Sequence, residues 1–353
     1  MMRQELRLAL GDFDVDAVFV SSVPTIRWAC SFTGSRALIV QKRNAAYFLS
    51  DARYTEQARR EVQGADVITK SARFDDVVLE ADLLQGVRSV LFQADHMTVS
   101  ELEKWRTRFP SIQWVPATDF LSVAVAQKLP DEVEKLRRAQ AVSDEVFEAV
   151  LSLIKPGMSE IEIAAEIICL HAQCGARRMS FEPIVVSGPR SALPHGRASA
   201  RKIERGDVVL LDYGCYLDGF ASDMTRTIAV GDPGSAVRQA YEAVREAQRR
   251  AIGGTVAGIP AREADAIARK VLVVAGYGDR FAHGLGHGIG LSVHEWPRLS
   301  PLSDDVVPAN AAVTMEPGIY LPGQFGIRIE DTVVVREFGC ERLGTTTRDL
   351  IVL

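Results

Sequence analysis

The apolar residues of the first 120 positions fall in short runs separated by polar connections. A helix is predicted near 99–108, and the polar segment 41–44 between two of the runs predicts a hairpin loop. Since this mixed order suits helices packed on a sheet, it predicts a small α/β unit. The runs are rich in branched and aromatic residues, and they predict strands at 16–20, 36–40, 45–49, 89–94 and 112–116.

A different pattern begins near residue 125, and we place the boundary between two domains, 1–125 and 126–353, at that point. From Pro130 onward, apolar residues recur at three- and four-residue spacing, which predicts a long amphipathic helix. We expect Pro156-Gly157 to end this helix. The second domain therefore begins with a long helix.

Further helices and strand-like runs follow in alternation. Ser159, with Glu162 three residues later, forms a capping box that predicts a helix near 160–174. Two more helices are predicted near 235–252 and 261–275. The strand-like runs between and after these helices are DVVLLDYG, SDMTRTIAV, AAVTMEPGIYL and GIRIEDTVVV.

Composition and charge exclude several classes of protein for this chain. The 353 residues are 47% hydrophobic and 25% charged, the balance of an ordinary globular protein. A net charge of −5 argues against nucleic-acid binding, and no run of lysine and arginine forms a patch for membranes. The sequence shows neither an apolar stretch near 18 residues nor a signal-peptide core. The five cysteines form no CxxC pair, so we expect reduced thiols and a cytoplasmic protein.

Two pairs of acidic residues lie on neighbouring predicted strands. If the run ending near Asp212 pairs antiparallel with the run starting at Asp223, the two carboxylates face each other across a turn beside Asp218-Gly219. The same construction sets Glu316 opposite Glu330 in a second hairpin. Like charges in facing positions destabilise a sheet, and burying them is costly unless cations compensate. The alternative is that one or both pairs face solvent.

The histidines favour the cation hypothesis. Four of the six fall within one hundred residues of the second domain, and three of these lie in the glycine-rich segment HGLGHGIGLSVHEWPR, where glycine lets the backbone approach a ligand. Carboxylates with an imidazole suit hard or borderline divalent ions such as manganese, and two dications would neutralise four carboxylates. The four histidines are His195, His283, His287 and His294.

Several motifs resemble those of a known family. DYGCYLDGFASDMTRTIAV, GHGIGLSVHEWP, EPGIY and IRIEDTVVV resemble signatures of the Xaa-Pro peptidases with the pita-bread fold, which include prolidase, aminopeptidase P and, more distantly, methionine aminopeptidase and creatinase. WACSFTGSRALIV and SDARYTEQA resemble the creatinase-type amino-terminal domain. The resemblance implies an α/β (α+β) protein in which that small domain precedes a catalytic domain with a curved antiparallel sheet covered by helices.

The resemblance also implies a metal centre. The charge count and the donor types favour two divalent ions in each chain, with manganese ahead of cobalt or zinc, and the resemblance supplies their ligands. Asp212 would chelate one ion, His287 and Glu316 the other, and Asp223 and Glu330 would bridge both. The nucleophile would be a water or hydroxide between the ions, and Glu316 would carry its proton to the leaving proline nitrogen.

Other family positions surround these ligands. His294 would donate to the oxyanion of the scissile carbonyl, and the resemblance gives His195 and His283 catalytic positions lining the pocket. Arg328 lies two residues before Glu330 and therefore shares its strand face, where it would orient a carboxylate. The candidate substrate-binding residues are Arg298, Tyr320 and Arg328.

The implied reaction is hydrolysis of the peptide bond before proline by a homodimeric dipeptidase (prolidase) acting on Xaa-Pro dipeptides. Arg298 matches a position that some prolidases use for the dipeptide carboxylate, which suits an arginine fork. The alternative is an aminopeptidase P that shortens longer Xaa-Pro peptides. Because SFTGSR departs from the family's Tyr-Leu-Thr-Gly run, control of substrate length by the first domain stays open.

Three rival functions are less well supported. The large first domain and the HEWP segment disfavour a methionine aminopeptidase. The presence of all five ligands disfavours creatinase, which works without metal. A non-catalytic pita-bread binding protein would leave the acidic pairs without compensating cations.

Overall fold

The computed structural model describes residues 2–353 and divides into two compact units, one ending at Val125 and one spanning Ala126–Leu353. In chain order, the elements up to the boundary are α1 (Glu5–Asp12), β1 (Ala17–Val20), α2 (Val23–Cys30), β2 (Ala37–Lys42), β3 (Ala46–Ser50), α3 (Thr55–Glu61), β4 (Asp66–Thr69), α4 (Phe74–Glu80), β5 (Ser89–Gln93), α5 (Val99–Arg108), β6 (Gln113–Ala117) and α6 (Ser122–Ala126).

The N-terminal unit is built on one six-stranded mixed sheet with the order β4-β3-β2-β1-β5-β6. Strand β1 is buried throughout and pairs antiparallel with β2 and parallel with β5. The predicted hairpin is confirmed, although β2 continues to Lys42 and so shortens the loop. The predicted α/β class is therefore confirmed for this unit.

The elements of the second unit alternate between helices and short strands. They are α7 (Pro130–Leu151), α8 (Glu160–Gln173), β7 (Arg178–Met179), β8 (Ile184–Ser187), β9 (Val208–Tyr213), β10 (Cys215–Leu217), β11 (Phe220–Ala221), β12 (Met224–Ala229), α9 (Gly234–Gly254), α10 (Ala261–Val274), β13 (Gly286–Gly288), β14 (Glu295–Leu299), β15 (Ala312–Met315), β16 (Gly318–Leu321), β17 (Phe325–Arg328), β18 (Asp331–Arg336) and β19 (Gly339–Arg342).

The ends of the first two helices of this unit follow from local chemistry. The predicted capping box of α8 is confirmed, since the Ser159 side chain accepts from the Glu162 amide and the Glu162 carboxylate accepts from the Ser159 amide. The prediction that α7 runs to Pro156 is wrong, because the helix ends at Leu151. The chain turns there to bury Ile154, and the position before a proline disfavours helix.

Antiparallel strands form the core of the second unit. Their sheets have the orders β12-β9-β8, β11-β10-β7, β14-β13-β15-β18-β19 and β16-β17. Helices α9 and α10 cover this core with small apolar residues such as Ala240 and Ala268, which pack with the strand residues Val313 and Val333. The predicted antiparallel sheet covered by helices is therefore confirmed.

Two chain-wide properties complete the fold. All five cysteines are free thiols. Within residues 2–353, no helix combines the length and apolar character needed to cross a bilayer.

Candidate metal centre

The first acidic hairpin has a register two residues away from the predicted one. Thr225 lies opposite Asp212, so the prediction that Asp223 faces Asp212 is wrong. Asp218 and Gly219 form the two-residue turn itself, and both have the positive φ (48° and 84°) that a tight hairpin turn requires. Because side chains alternate with a period of two, this shift keeps both carboxylates on the same face.

The second acidic hairpin keeps the predicted register. Strands β15 and β18 pair Met315 with Asp331, and β16 and β17 pair Gly318 with Arg328 in the same alignment. Glu316 and Glu330 therefore occupy facing positions between the two ladders. Pro317 has no N–H to donate, which breaks the predicted run AAVTMEPGIYL into two strands.

Backbone hydrogen bonds join the place between the two ladders, where Glu316 and Glu330 lie, to the histidine segment and to the first acidic hairpin. The amide of Glu316 donates to the carbonyl of Leu285, at the start of the glycine-rich segment, over 2.8 Å. The amide of Glu330 donates to the carbonyl of Thr225 on β12 over 3.1 Å. These two contacts bring the acidic hairpins and the histidine segment together.

The metal-ligand candidates converge on one point. Single ligand atoms of Asp223, His287 and Glu330 lie within 4.8 Å of one another. The Nε2 atom of His287 lies 3.6 Å from an oxygen of Asp223 and 3.5 Å from one of Glu316. Asp212 joins the group electrostatically, since its charge adds to burial in raising the pKa of Glu316.

The orientation of His287 leaves its Nε2 lone pair directed at these carboxylates. Its Nδ1 lies 3.0 Å from the carbonyl of Gly288, which can only accept, so Nδ1 carries the proton. Strand β13 lies between β14 and β15 so closely that a Cβ at Gly286 would come within 2.0 Å of the Thr314 carbonyl. The glycines around His287 therefore allow the backbone to approach its neighbours.

Arg328 connects three other site residues. Its Nη2 pairs with Asp212, its Nη1 donates to the Tyr320 hydroxyl over 2.7 Å, and its Nε donates to Thr225 over 3.1 Å. Thr225 in turn donates to Glu330 over 2.7 Å. Because Arg328 is only 3% exposed and its donors are used by the protein, this geometry favours holding ligands over touching substrate.

The other three histidines differ in their surroundings. His283 donates from Nδ1 to the Gly284 carbonyl (2.8 Å), and its Nε2 accepts from the Tyr320 hydroxyl (2.9 Å). His294 is exposed, and its ring centre lies 4.5 Å from that of His287. His195 is also exposed.

Arg298 lies at the exposed side of the site. It pairs across β13 and β14 with His287, which places both side chains on the same face of the sheet. Among residues 2–353 no carboxylate forms an ion pair with its guanidinium, and its charge adds to burial in lowering the pKa of His287 and His294. A free cation therefore faces the ligand cluster from its rim.

The electrostatics of the cluster disfavour four ionised carboxylates without compensating charge. Burial raises the pKa of Asp212, and burial together with the neighbouring acids raises the pKa values of Asp223 and Glu330 well above their usual range. Burial raises the pKa of Glu316 to about 7 and lowers that of His287 to about 4. The site therefore combines crowded carboxylates with a neutral imidazole.

Unpartnered ligand atoms test whether a metal fits. The Oδ1 atom of Asp212 and the Oε1 atom of Glu330 are buried and have no hydrogen-bond donor. Buried polar atoms normally have a partner, so each such oxygen calls for an explanation such as an ion. Oxygen ligands with one imidazole nitrogen suit divalent cations, and the residues present therefore fit a metal site.

Comparison with known proteins identifies the family. Residues 134–337 match the model of metallopeptidase family M24, and residues 2–125 match the creatinase/prolidase N-terminal domain. The chain belongs to metallopeptidase family M24. As a member of this family it is a metal-dependent hydrolase, and the buried acidic cluster is where divalent ions fit its structure.

Full-length relatives of this M24 protein have been named and solved. An Xaa-Pro dipeptidase from Pyrococcus furiosus is 35% identical, with 97% of each chain covered. The structure of an Xaa-Pro dipeptidase from Bacillus anthracis is 38% identical, with a TM-score of 0.95 over 99% of this chain and 98% of that one. An X-Pro aminopeptidase from Thermotoga maritima is 35% identical, with a TM-score of 0.90 over 96% and 98%.

The M24 site contains two threonines that the sequence analysis missed. Thr225 bridges Arg328 and Glu330, and it escaped notice because the predicted register gave its place opposite Asp212 to Asp223. Thr314 accepts from the His287 amide (3.0 Å) and donates to Glu316 (3.3 Å). Thr314 lies two residues before Glu316, so the two side chains share a strand face, and this spacing could have identified Thr314 from the sequence.

The metal-free M24 protein should lose stability relative to its Glu316→Gln variant as pH rises through the titration of Glu316. Because the pKa of Glu316 is raised from 4.5 to about 7, its charging opposes folding progressively between those values. The stability of the wild type, relative to Glu316→Gln, should fall by on the order of 3 kcal/mol across this window. The effects of His283 and His287, whose pKa values are lowered to about 4, run in the opposite direction but cancel in the difference.

Urea unfolding of both proteins in EDTA at several pH values measures this difference. Added manganese should remove the pH dependence, because the cation compensates the charge that opposes folding. Parallel stability curves for the two metal-free proteins would show that Glu316 is not crowded by its neighbours.

Proposed function

We propose that this protein is an Xaa-Pro dipeptidase that hydrolyses the bond before proline. The observation that carries the proposal is the buried cluster of four carboxylates and one neutral imidazole, whose orphaned oxygens match a divalent metal site. The Xaa-Pro dipeptidases from Pyrococcus furiosus and Bacillus anthracis, similar over nearly their whole lengths, support the substrate class. The proposal extends to a cytoplasmic homodimer.

Five residues would hold the metal ions. Two dications match the charge of four carboxylates, so we propose two ions per chain, with manganese ahead of cobalt or zinc. When bound, such ions lower the pKa of water and polarise a carbonyl. The proposed ligands are Asp212, Asp223, His287, Glu316 and Glu330.

Glu316 is the proposed proton carrier. One of its oxygens accepts from Thr314, which fixes the carboxylate beside His287 and at the face of the cluster. From there it takes a proton from the attacking water and delivers it to the proline nitrogen. The amide before proline has no N–H, so this nitrogen must gain a proton to leave as a secondary amine.

The exposed histidines are proposed to contact substrate. The His294 ring has no hydrogen-bonding partner among residues 2–353, and its pKa is lowered by burial and by Arg298, so its N–H is free to donate to the developing oxyanion. His195 is proposed to line the pocket beside it. His283 is hydrogen-bonded to Tyr320, and Tyr320 accepts from Arg328, which pairs with Asp212; we propose that these residues fix the position of Asp212.

Arg298 favours a dipeptidase over an aminopeptidase. A dipeptide substrate ends in a carboxylate directly after the scissile bond, and a guanidinium with no ion pair, facing the ligand cluster, is suited to bind it. The second candidate is an aminopeptidase acting on longer peptides, which the similar X-Pro aminopeptidase from Thermotoga maritima supports. Rates for Ala-Pro and Ala-Pro-Ala with added manganese separate the two: a dipeptidase prefers Ala-Pro, and the reverse order would contradict the proposal.

Replacing Arg298 with alanine tests the same assignment within the chain. The kcat/KM for Ala-Pro should fall about 10- to 100-fold, the scale of one charge-assisted hydrogen bond, while that for Ala-Pro-Ala changes less. The exposed Arg262, which pairs with Asp304, provides a matched control in Arg262→Ala. Equal losses for dipeptide and tripeptide would remove Arg298 from carboxylate recognition.

A further inference from the structure

The residue after His294 is a carboxylate that the metal centre does not use. Glu295 instead accepts from the Lys128 ammonium over 2.6 Å, and the two side chains are 8% and 2% exposed. Its second oxygen accepts from the amide of Ser292 over 2.9 Å. One oxygen of Glu295 therefore fastens the chain after His294 to Lys128, and the other closes a turn around His294 by binding the Ser292 amide.

A separate contact fastens the chain on the other side. The amide of Val293 donates to the hydroxyl of Tyr216 over 3.1 Å, and Tyr216 is buried on β10, in the hairpin between Asp212 and Asp223. The amide of Ala221 in the same hairpin donates to the carbonyl of Gly290 over 2.8 Å. The segment preceding His294 is thus tied to the hairpin that carries two ligand candidates.

Gly290 leaves the space in which the Lys128–Glu295 ion pair forms beside the segment preceding His294. A Cβ at this position would lie 2.5 Å from the Lys128 nitrogen and 2.7 Å from a Glu295 oxygen. The ends of both charged side chains would have to shift to avoid such a contact, which would change the geometry of the ion pair. The ion pair and the glycine therefore form one packed arrangement.

We propose that Tyr216, Lys128 and Glu295 are positioning residues that place the His294 ring for catalysis. The ring itself has no hydrogen-bonding partner among residues 2–353, so its position depends on the anchored backbone on either side. A displacement near 1 Å in an active site can lower the rate about 100-fold, so such anchoring matters for turnover. This inference rests on the proposed role of His294.

A double-mutant cycle between Tyr216→Phe and His294→Ala tests the inference. Tyr216→Phe removes one oxygen and should lower kcat for Ala-Pro roughly 10- to 100-fold, with KM and bound manganese unchanged. In the His294→Ala background the same substitution should cause no further loss, since its effect acts through His294. Tyr241→Phe, which removes a hydroxyl on helix α9 that donates to the Arg348 carbonyl, is the matched control and should keep full activity.

Gly290→Ala tests the contribution of the Lys128–Glu295 ion pair. It disturbs the pair but keeps both charged residues, so neither charge loses its partner through its own replacement. It should lower kcat in the same way, whereas Gly253→Ala, which has no atom within 4 Å of the added carbon, should not. Wild-type kcat in both Tyr216→Phe and Gly290→Ala, or equal losses with and without His294, would overturn the inference while leaving the proposed function intact. Full activity of His294→Ala would instead overturn the role of His294 and the inference with it.

Discussion

Replacing Asp223 with asparagine should abolish both Ala-Pro hydrolysis and metal retention. Asp223 is 4% exposed and lies with His287 and Glu330 where three candidate ligand atoms come together, so it is one of the residues that would hold the proposed ions. An amide there removes one negative charge and one ligand oxygen. Elemental analysis after dialysis, together with a rate assay in added manganese, measures both losses on the same sample.

Stability separates the loss of a ligand from a loss of folding. Because burial and neighbouring acids raise the pKa of Asp223, the metal-free variant should unfold at the same temperature as the wild type or higher. Manganese should raise the melting temperature of the wild type and leave that of the variant nearly unchanged. Asp304→Asn, which changes an exposed carboxylate, is the control. Retained metal in Asp223→Asn would exclude Asp223 as a ligand.

Replacing His294 with alanine should lower kcat about 100- to 1000-fold, the scale for losing one donor to an oxyanion. Metal content should stay at the wild-type value, because the ring contacts His287 but lies outside the cluster of ligand atoms. KM should change little, since the contact strengthens only as charge develops. Steady-state kinetics with Ala-Pro and elemental analysis give the three values.

A matched control for this substitution lies in the N-terminal unit. His96 is an exposed histidine next to Asp95, and His96→Ala should keep the wild-type kcat. A fall in metal content for His294→Ala would make this histidine part of the metal site. An unchanged kcat would remove it from the reaction.

Local chemistry made much of the fold predictable from sequence. The capping box at Ser159 and the periodic apolar positions after Pro130 located two helices, and the helix predicted near 99–108 matches α5 (Val99–Arg108). The short edge strand β4 (Asp66–Thr69) was missed because its four residues are mostly half-buried and carry little apolar pattern. Elements with a strong local signal could therefore be predicted, and short edge elements could not.

The hairpin registers show the limit of counting along the sequence. The second register was correct because its loop is symmetric about Gly323. The first was two residues off because Asp218-Gly219 closes the turn as its central pair, not beside it. The first register was off by two residues, an even number, and the second was not off at all. The acidic side chains of each hairpin therefore still share a face.

Contacts between distant parts of the chain were beyond sequence reasoning. Lys128 and Glu295 are 167 positions apart, and no local pattern indicates that they pair. The same holds for Arg328 and Asp212, which are 116 positions apart. Residue types identified the candidate ligands, whereas their supporting residues emerged only from the packed structure.

The most direct test of the central claim is the number of metal ions that each chain retains. The purified protein is loaded with manganese, dialysed against metal-free buffer and analysed by inductively coupled plasma mass spectrometry. Four crowded carboxylates held together by cations predict two ions per chain. Retention of less than one ion would contradict the account, because the buried acids would then be stable without the charge that is proposed to hold them.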